Sequence, residues 1–225
     1  MGICDHLARV RERIERSAKR SVFAQSVRLV AVTKGVDTDR IRQAAFGGLE
    51  EVGENRVQEA AEKIPKLPSL EWHLIGHLQT NKVKQALALF ELIQAADRLP
   101  LTEAIQREAL RIGKTASLLI QVKSQEDPSK FGILPQELLP TLEKIAVLDH
   151  LRVLGLMTIA PLVSDPELAR PFFRKLRSLK EAAAKEKFPN CDFSVLSMGM
   201  SQDFEVAIEE GSTMVRIGTA IFGER

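Results

Sequence analysis

Lys34 is the residue of this chain with the most to offer chemically. It closes Val27-Arg28-Leu29-Val30-Ala31-Val32-Thr33-Lys34, a short, mostly apolar, β-branched run. Bounded by Gly35 and a helix start at Asp37-Thr38, the run reads as a buried strand. Side chains alternate along a strand, so Lys34 shares a face with Val30 and Val32. An unpaired ammonium is expensive to bury there. Burial favours the neutral amine, which is a nucleophile towards carbonyls. A Schiff base with an aldehyde cofactor is one reading. The other is a strand end whose ammonium reaches solvent at the rim, and this stretch alone favours the second.

A second group lies near the other end. Ser197-Met198-Gly199-Met200-Ser201 is a small turn running into Gln202-Asp203-Phe204-Glu205-Val206-Ala207, with Ser201 as the natural N-cap of that helix. A helix start offers free backbone N–H groups and a positive dipole end, which suits phosphate. Gly218-Thr219 adds further N–H groups and a hydroxyl. Each alone is a cap or a turn; at two adjacent strand ends they point to an anion site. Arg216 either pairs with a surface acid such as Glu209 or, in a closed barrel, sits one strand from Lys34. Beside a pyridine nitrogen its permanent charge would keep that nitrogen unprotonated and weaken the ring as an electron sink.

Other chemistries find little support. His73 and His77 are four apart on a strand-to-loop segment with no Glu after the first, so no metal site is expected. Cys4 and Cys191 lack CxxC spacing and a partnered histidine, and read as reduced thiols. The sequence has no G-x-G-x-x-G, no G-x-x-x-x-G-K-[ST] and no G-x-S-x-G. It contains no tyrosine, which excludes a phenolic acid or base within one chain.

The elements that must position these residues form a rhythm. Strand-like runs lie at 27–34, 49–54, 71–75, 90–95, 116–123, 151–157, 193–198 and 213–217. Helix-like stretches lie near 38–47, 55–64, 80–88, 99–112, 135–147, 165–187 and 201–210. Such alternation implies βαβ units and a parallel sheet. Eight strands fit an α/β (β/α)8 TIM barrel, with a doubly wound open sheet as runner-up. Chemistry in such barrels sits at the carboxyl ends of the strands. That rule selects Lys34, Glu54, Asn55, His73, Gly76, His77, Asp97, Lys123, Ser124, Met157, Thr158 and the two groups above. Little chain remains for an eighth helix. Ile3, Leu7, Val10, Ile14 and Ala18 mark an amphipathic N-terminal helix, which covers that gap or the bottom of the barrel. Its basic face, with Arg9, Arg11, Arg13, Arg16, Lys19 and Arg20, reads as a solvated surface.

The 225 residues are 44% apolar, enough for one well-packed domain spanning 1–225. A net charge of +2 asks for neither nucleic acid nor an acidic membrane as partner. The charged first twenty residues are no signal peptide, and no run is long enough to span a membrane. The expectation is a soluble, cytoplasmic protein.

Six stretches carry a resemblance. They are Ala31-Val32-Thr33-Lys34, Gly53 to Glu59, Trp72 to Lys82, Leu154-Gly155-Leu156-Met157, Leu196 to Ser201, and Gly211 to Thr219. In order and spacing they resemble the pyridoxal phosphate homeostasis protein family. The resemblance implies a single-domain barrel like the N-terminal domain of alanine racemase. It implies pyridoxal 5′-phosphate bound as a Schiff base to Lys34, with Arg216 facing the pyridine nitrogen. Ser201, Gly218 and Thr219 would hold the phosphate, with Ser197, Met198 and Gly199 close by. Asn55 and Met157 would neighbour the ring, and His77 would stand at the rim, where many relatives carry proline. Thr33 and Gly35 flank the lysine where relatives often carry Ser and Thr.

The resemblance leaves two classes. One is a cofactor handler that keeps the intracellular pool of this reactive aldehyde in balance without robust catalysis, with pyridoxal-phosphate-dependent apoenzymes as candidate recipients. The other is an amino-acid racemase or lyase. Racemisation needs acid/base groups on both faces of the substrate. The barrel racemases take the second from a tyrosine in another domain, and this chain has neither the tyrosine nor residues for that domain. The handler is favoured, with a monomer as the default state.

Overall fold

A computed structural model describes residues 2–124 and 130–224. Eight parallel strands close into one barrel in sequence order. They are β1 (Arg28–Val32), β2 (Glu51–Glu54), β3 (Glu71–Leu74), β4 (Leu92–Ala96), β5 (Ala116–Gln121), β6 (Leu151–Met157), β7 (Cys191–Ser197) and β8 (Met214–Ile217). The closure joins β8 to β1, with Val30 opposite Arg216 and Ala31 opposite Ile217. The open-sheet alternative is thereby set aside.

The interior is filled rather than hollow. Val30, Leu92, Ala95, Leu119, Met157, Val195 and Met214 pack inside the ring. The opposite faces of the strands, including Ala31, Val52, Leu74 and Leu118, pack against the helices. Those helices are α2 (Thr38–Phe46), α3 (Val57–Lys63), α4 (Val83–Leu89), α5 (Leu99–Ile112), α6 (Leu138–Ile145), α7 (Arg170–Lys185), α8 (Phe204–Glu209) and α9 (Thr219–Phe222). Their boundaries follow local chemistry. Asp37 caps α2 by accepting the Arg40 N–H at 2.9 Å. Gly113, at φ +64°, ends α5.

The N-terminal helix α1 (Ile3–Arg20) buries Leu7, Val10 and Ile14 against α2, α8 and α9. It therefore fills the place of an eighth barrel helix, for which α9 supplies a single turn. Its basic face is only partly solvated. Arg11 donates to the Gly47 and Gly48 carbonyls, at 3.0 and 2.5 Å. Arg13 pairs with Glu205 and Arg20 with Glu209, both at 2.8 Å.

Most strand-run ends differ from the sequence expectation by one or two residues, and three have visible reasons. β1 stops at Val32 because Gly35, at φ +66°, lets the Val36 N–H reach the Thr33 carbonyl at 3.0 Å. β5 stops at Gln121 because Val122 bridges to Ile133. The run at 193–198 begins two residues early, since Cys191 pairs with Val153.

Candidate functional site

Lys34 sits in the turn just beyond β1 and continues the inward face of Val30 and Val32. The alternation argument therefore holds, and of the two readings of its ammonium the solvent-reaching one does, since Lys34 is exposed rather than buried. The buried amine beside this strand is Lys63, on α3, 7% exposed. Its Nζ donates to the Thr33 carbonyl (2.7 Å), to Glu54 (2.7 Å) and to Glu59 (2.6 Å). Glu54 also accepts from the Thr33 hydroxyl at 2.7 Å, and Glu59 accepts the Gly35 N–H at 2.6 Å. Both neighbours of Lys34 are thus held by one ionic cluster. Glu54 is fully buried, and burial raises its carboxyl above the ordinary 4.5 against the pull of Lys63 and Thr33.

Arg216, on β8, is 4% exposed. It donates to the Ser197 hydroxyl at 2.5 Å and to the Thr158 carbonyl at 2.8 Å. Burial brings its guanidinium down to about 10, with the charge of Asp203 acting in the opposite sense. It stays charged at neutral pH. Glu209 is not its partner, for that carboxylate binds Arg20 and Arg170. A guanidinium has five N–H donors. Two acceptors leave donors available towards the cavity that Arg216 lines.

The loop after β7 is shaped by Gly199, at φ +95°. A Cβ there would lie 2.6 Å from the Ala207 Cβ and 2.9 Å from the Phe204 Cα. Its carbonyl accepts the Arg216 backbone N–H at 3.0 Å, tying the loop to β8. Asp203 accepts the Met200 N–H at 2.6 Å and folds 200–203 into a turn, so α8 starts at Phe204. Ser201 is therefore not the helix cap expected of it. Its hydroxyl instead faces the N–H groups of Gly218 and Ala220, at 3.3 and 3.4 Å. These bonds are long enough to yield to a better acceptor. Burial raises the Asp203 carboxyl, while the Met200 N–H lowers it.

These parts meet at the carboxyl-end mouth. One cavity of about 220 Å³ is lined by Lys34, Ser201, Arg216, Gly218 and Thr219 together, and also by Asp203. The remaining expected residues do not line it. Ser197 is buried behind Arg216, and Gly199 lies against α8. Met198, one step along the strand from Ser197, points into the layer between sheet and helices. Met157 is fully buried in the barrel interior. The Asn55 backbone packs on Gly76, where a Cβ would come within 2.3 Å of the Asn55 carbonyl oxygen. His77 is held away by Asp97, at 2.6 Å, and by stacking on Phe131 at 3.8 Å.

Sequence reasoning overlooked Asp203 and the proline-bearing loop with Pro161 and Pro166, while Thr158, one of the strand-end candidates, serves through its carbonyl. Asp203 carried a signal, since Ser-Gln-Asp offers two cap residues before one apolar run. Glu51, Glu71 and His73 bring ligand atoms within 4.8 Å of one another, but Arg28 already donates to both carboxylates.

Comparisons with known proteins identify the family and the fold. The family model described as alanine racemase, N-terminal domain, matches residues 6–225. The pyridoxal phosphate homeostasis protein of Aquifex aeolicus is 44% identical over 228 residues, covering 100% of this chain and 99% of its own. The structure of PipY from Synechococcus elongatus with pyridoxal phosphate bound superposes with a TM-score of 0.85 at 34% identity, covering 98% of this chain and 100% of that one. Alanine racemase of Clostridium difficile shares the fold, with a TM-score of 0.72 at 13% identity over 98% of this chain and 56% of its own. A closed barrel with this cavity, matched from end to end by such relatives, places the chain in the pyridoxal phosphate homeostasis protein family.

Proposed function

We propose that this protein binds pyridoxal 5′-phosphate at the carboxyl-end mouth and takes part in its intracellular homeostasis, without robust catalysis of its own. One observation carries the reading. A single cavity is lined by a primary amine, a buried guanidinium and a hydroxyl-and-amide cup, which are the three partners that an aldehyde, a pyridine nitrogen and a phosphate require. When bound, the cofactor supplies an aldehyde that condenses with a primary amine and a ring that withdraws electrons. Lys34 offers the amine. Its exposure leaves it open to an arriving cofactor, and the Lys63 cluster fixes the backbone on both sides of it. Ser201, Gly218 and Thr219 bind the phosphate, and Gly199 shapes the loop that brings Ser201 there. Arg216 donates to the ring nitrogen and holds it unprotonated, which disfavours carbanion chemistry. Asn55, His77, Met157, Ser197 and Met198 support the site from behind or from the rim.

The racemase or lyase reading needs a second proton-transfer group opposite Lys34. Among the described lining residues the other ionisable side chains are Asp203 and Arg216. Asp203 is engaged by Met200 N–H, Arg216 by Ser197 and Thr158, and the chain has no tyrosine. A cytoplasmic monomer that passes the cofactor to apoenzymes is consistent with this design. Among the described residues no helix is long and apolar enough to cross a membrane.

The test is an absorption spectrum before and after borohydride reduction, with the modified residue mapped by mass. The expected result is a yellow protein with the label on Lys34, and a Lys34→Ala variant that folds but traps no label. A label retained in Lys34→Ala would overturn the assignment. Substantial exchange of amino-acid Cα–H in deuterium oxide, with turnover, would replace the handler by the enzyme.

A further inference from the structure

A line of buried polar side chains runs through the apolar interior of the barrel. It starts at Arg216 in the cofactor mouth and ends at the opposite, amino-terminal mouth. Arg216 meets Ser197 on β7 at 2.5 Å. The Ser197 hydroxyl meets Gln94 on β4 at 2.7 Å. The Gln94 amide meets His73 Nδ1 on β3 at 2.9 Å. His73 Nε2 meets Glu71 at 2.8 Å, and Arg28 of β1 ties Glu71 to Glu51 of β2. Ser197, Gln94 and His73 are all 0% exposed. Burying three polar side chains in such a core is costly unless each is fully bonded.

Followed from the guanidinium, the bonds form one consistent set. A guanidinium only donates. The Ser197 oxygen must therefore accept, and its own proton goes to Gln94 Oε1. That fixes the Gln94 amide with its NH2 towards His73 and the Met214 sulfur, the latter at 3.2 Å. His73 Nδ1 must then accept, which puts the ring proton on Nε2, facing the Glu71 carboxylate. Each member has one consistent role, and Ser197 and Gln94 could not rotate without breaking two bonds.

We infer that Gln94 and His73 are positioning residues for Arg216: this through-barrel chain, anchored on Glu71 and Arg28, sets how the guanidinium is presented to the bound cofactor. The inference rests on the cavity being a pyridoxal phosphate site. Neither residue touches the cavity; both act through Ser197. Acceptors on one guanidinium nitrogen draw charge from it and fix its plane. Cutting the chain frees Arg216 to rotate and changes its donation to the ring.

The experiment titrates pyridoxal phosphate into wild type, Gln94→Leu and Ser197→Ala, reading Kd, the visible spectrum and the pH at which the bound chromophore changes colour. Gln94→Leu severs the chain with little change in volume. It should weaken binding roughly tenfold, the loss of one charge-linked buried bond, and move the pH of the colour change, with circular dichroism unchanged. Ser197→Ala removes one oxygen and should reproduce the Gln94→Leu spectrum; it carries the test if the leucine variant does not fold. Wild-type spectra and Kd in both severed variants would overturn the inference alone. Failure of wild type to bind would overturn the cofactor reading, and this inference with it.

Discussion

Ser201 and Arg216 line the same cavity but answer to different parts of a ligand, and that difference is measurable. The Ser201 hydroxyl faces two backbone N–H groups at bond lengths that a phosphate oxygen would improve on. Ser201→Ala should weaken pyridoxal phosphate binding roughly tenfold, the worth of one bond to a charged group. It should leave binding of unphosphorylated pyridoxal nearly unchanged. Arg216→Met should weaken both ligands if its guanidinium meets the ring, as proposed, rather than the phosphate. Paired titrations with the two aldehydes check this, and equal losses for Ser201→Ala would place the phosphate elsewhere. Lys34 illustrates the limit of reading one strand. Its face was legible from alternation and a solvent-reaching ammonium was the reading the stretch favoured; the turn at Gly35 that ends the strand at Val32 was not legible.

At the scale of elements, the β1 turn depends on α3. Lys63 and Glu54 are both buried, and Glu54 Oε2 has no hydrogen-bond partner among the described residues. Removing one member of a buried pair leaves an uncompensated group, which costs about 3 kcal/mol or more. Lys63→Met should therefore lower the urea midpoint strongly and slow trapping of the cofactor at Lys34, because the Thr33 carbonyl loses its donor. Glu54→Leu combined with Lys63→Met should recover part of the stability, a non-additivity expected of direct partners. Additive losses would argue that the two residues stabilise the fold independently. Nothing in the sequence linked Lys63 to Thr33. The link needs α3 to lie across the β1–β2 edge.

At the scale of the molecule, α1, α7 and α8 are joined by arginines converging on Glu209 and Glu210. Glu210 is 5% exposed and binds Arg170, Arg174 and Arg177. Burial works to raise its carboxyl, but the hydrogen bonds from Arg174, Arg170 and Arg177 outweigh it and hold it below the ordinary 4.5. A carboxylate depressed in the folded state stabilises above its unfolded value, and the contribution is lost as pH falls through the folded value. Stability should therefore fall as pH drops below 4.5. Urea midpoints for Glu210→Gln should be lower at pH 7 and fall less steeply in acid. Parallel curves for variant and wild type would remove Glu210 from the acid response.

Local chemistry in the chain was enough for the eight strands and the seven helices between them, because apolar alternation, Asp37 and the glycines act within a few residues of themselves. It was also enough for the candidate lysine and for the absence of any tyrosine. Ring closure was a different matter: Val30 against Arg216 is a pairing across almost the whole chain. That pairing turned Arg216 from a possible surface partner of Glu209 into a buried cavity wall. Side-chain direction at the loop ends was also beyond sequence. Met198 faces outwards, Met157 is sealed in the interior, and Asp203 rather than Ser201 opens α8. The chain from Glu71 to Arg216 uses strands distant in sequence, so its partners become neighbours only where a closed, twisted sheet packs alternate strands across one axis.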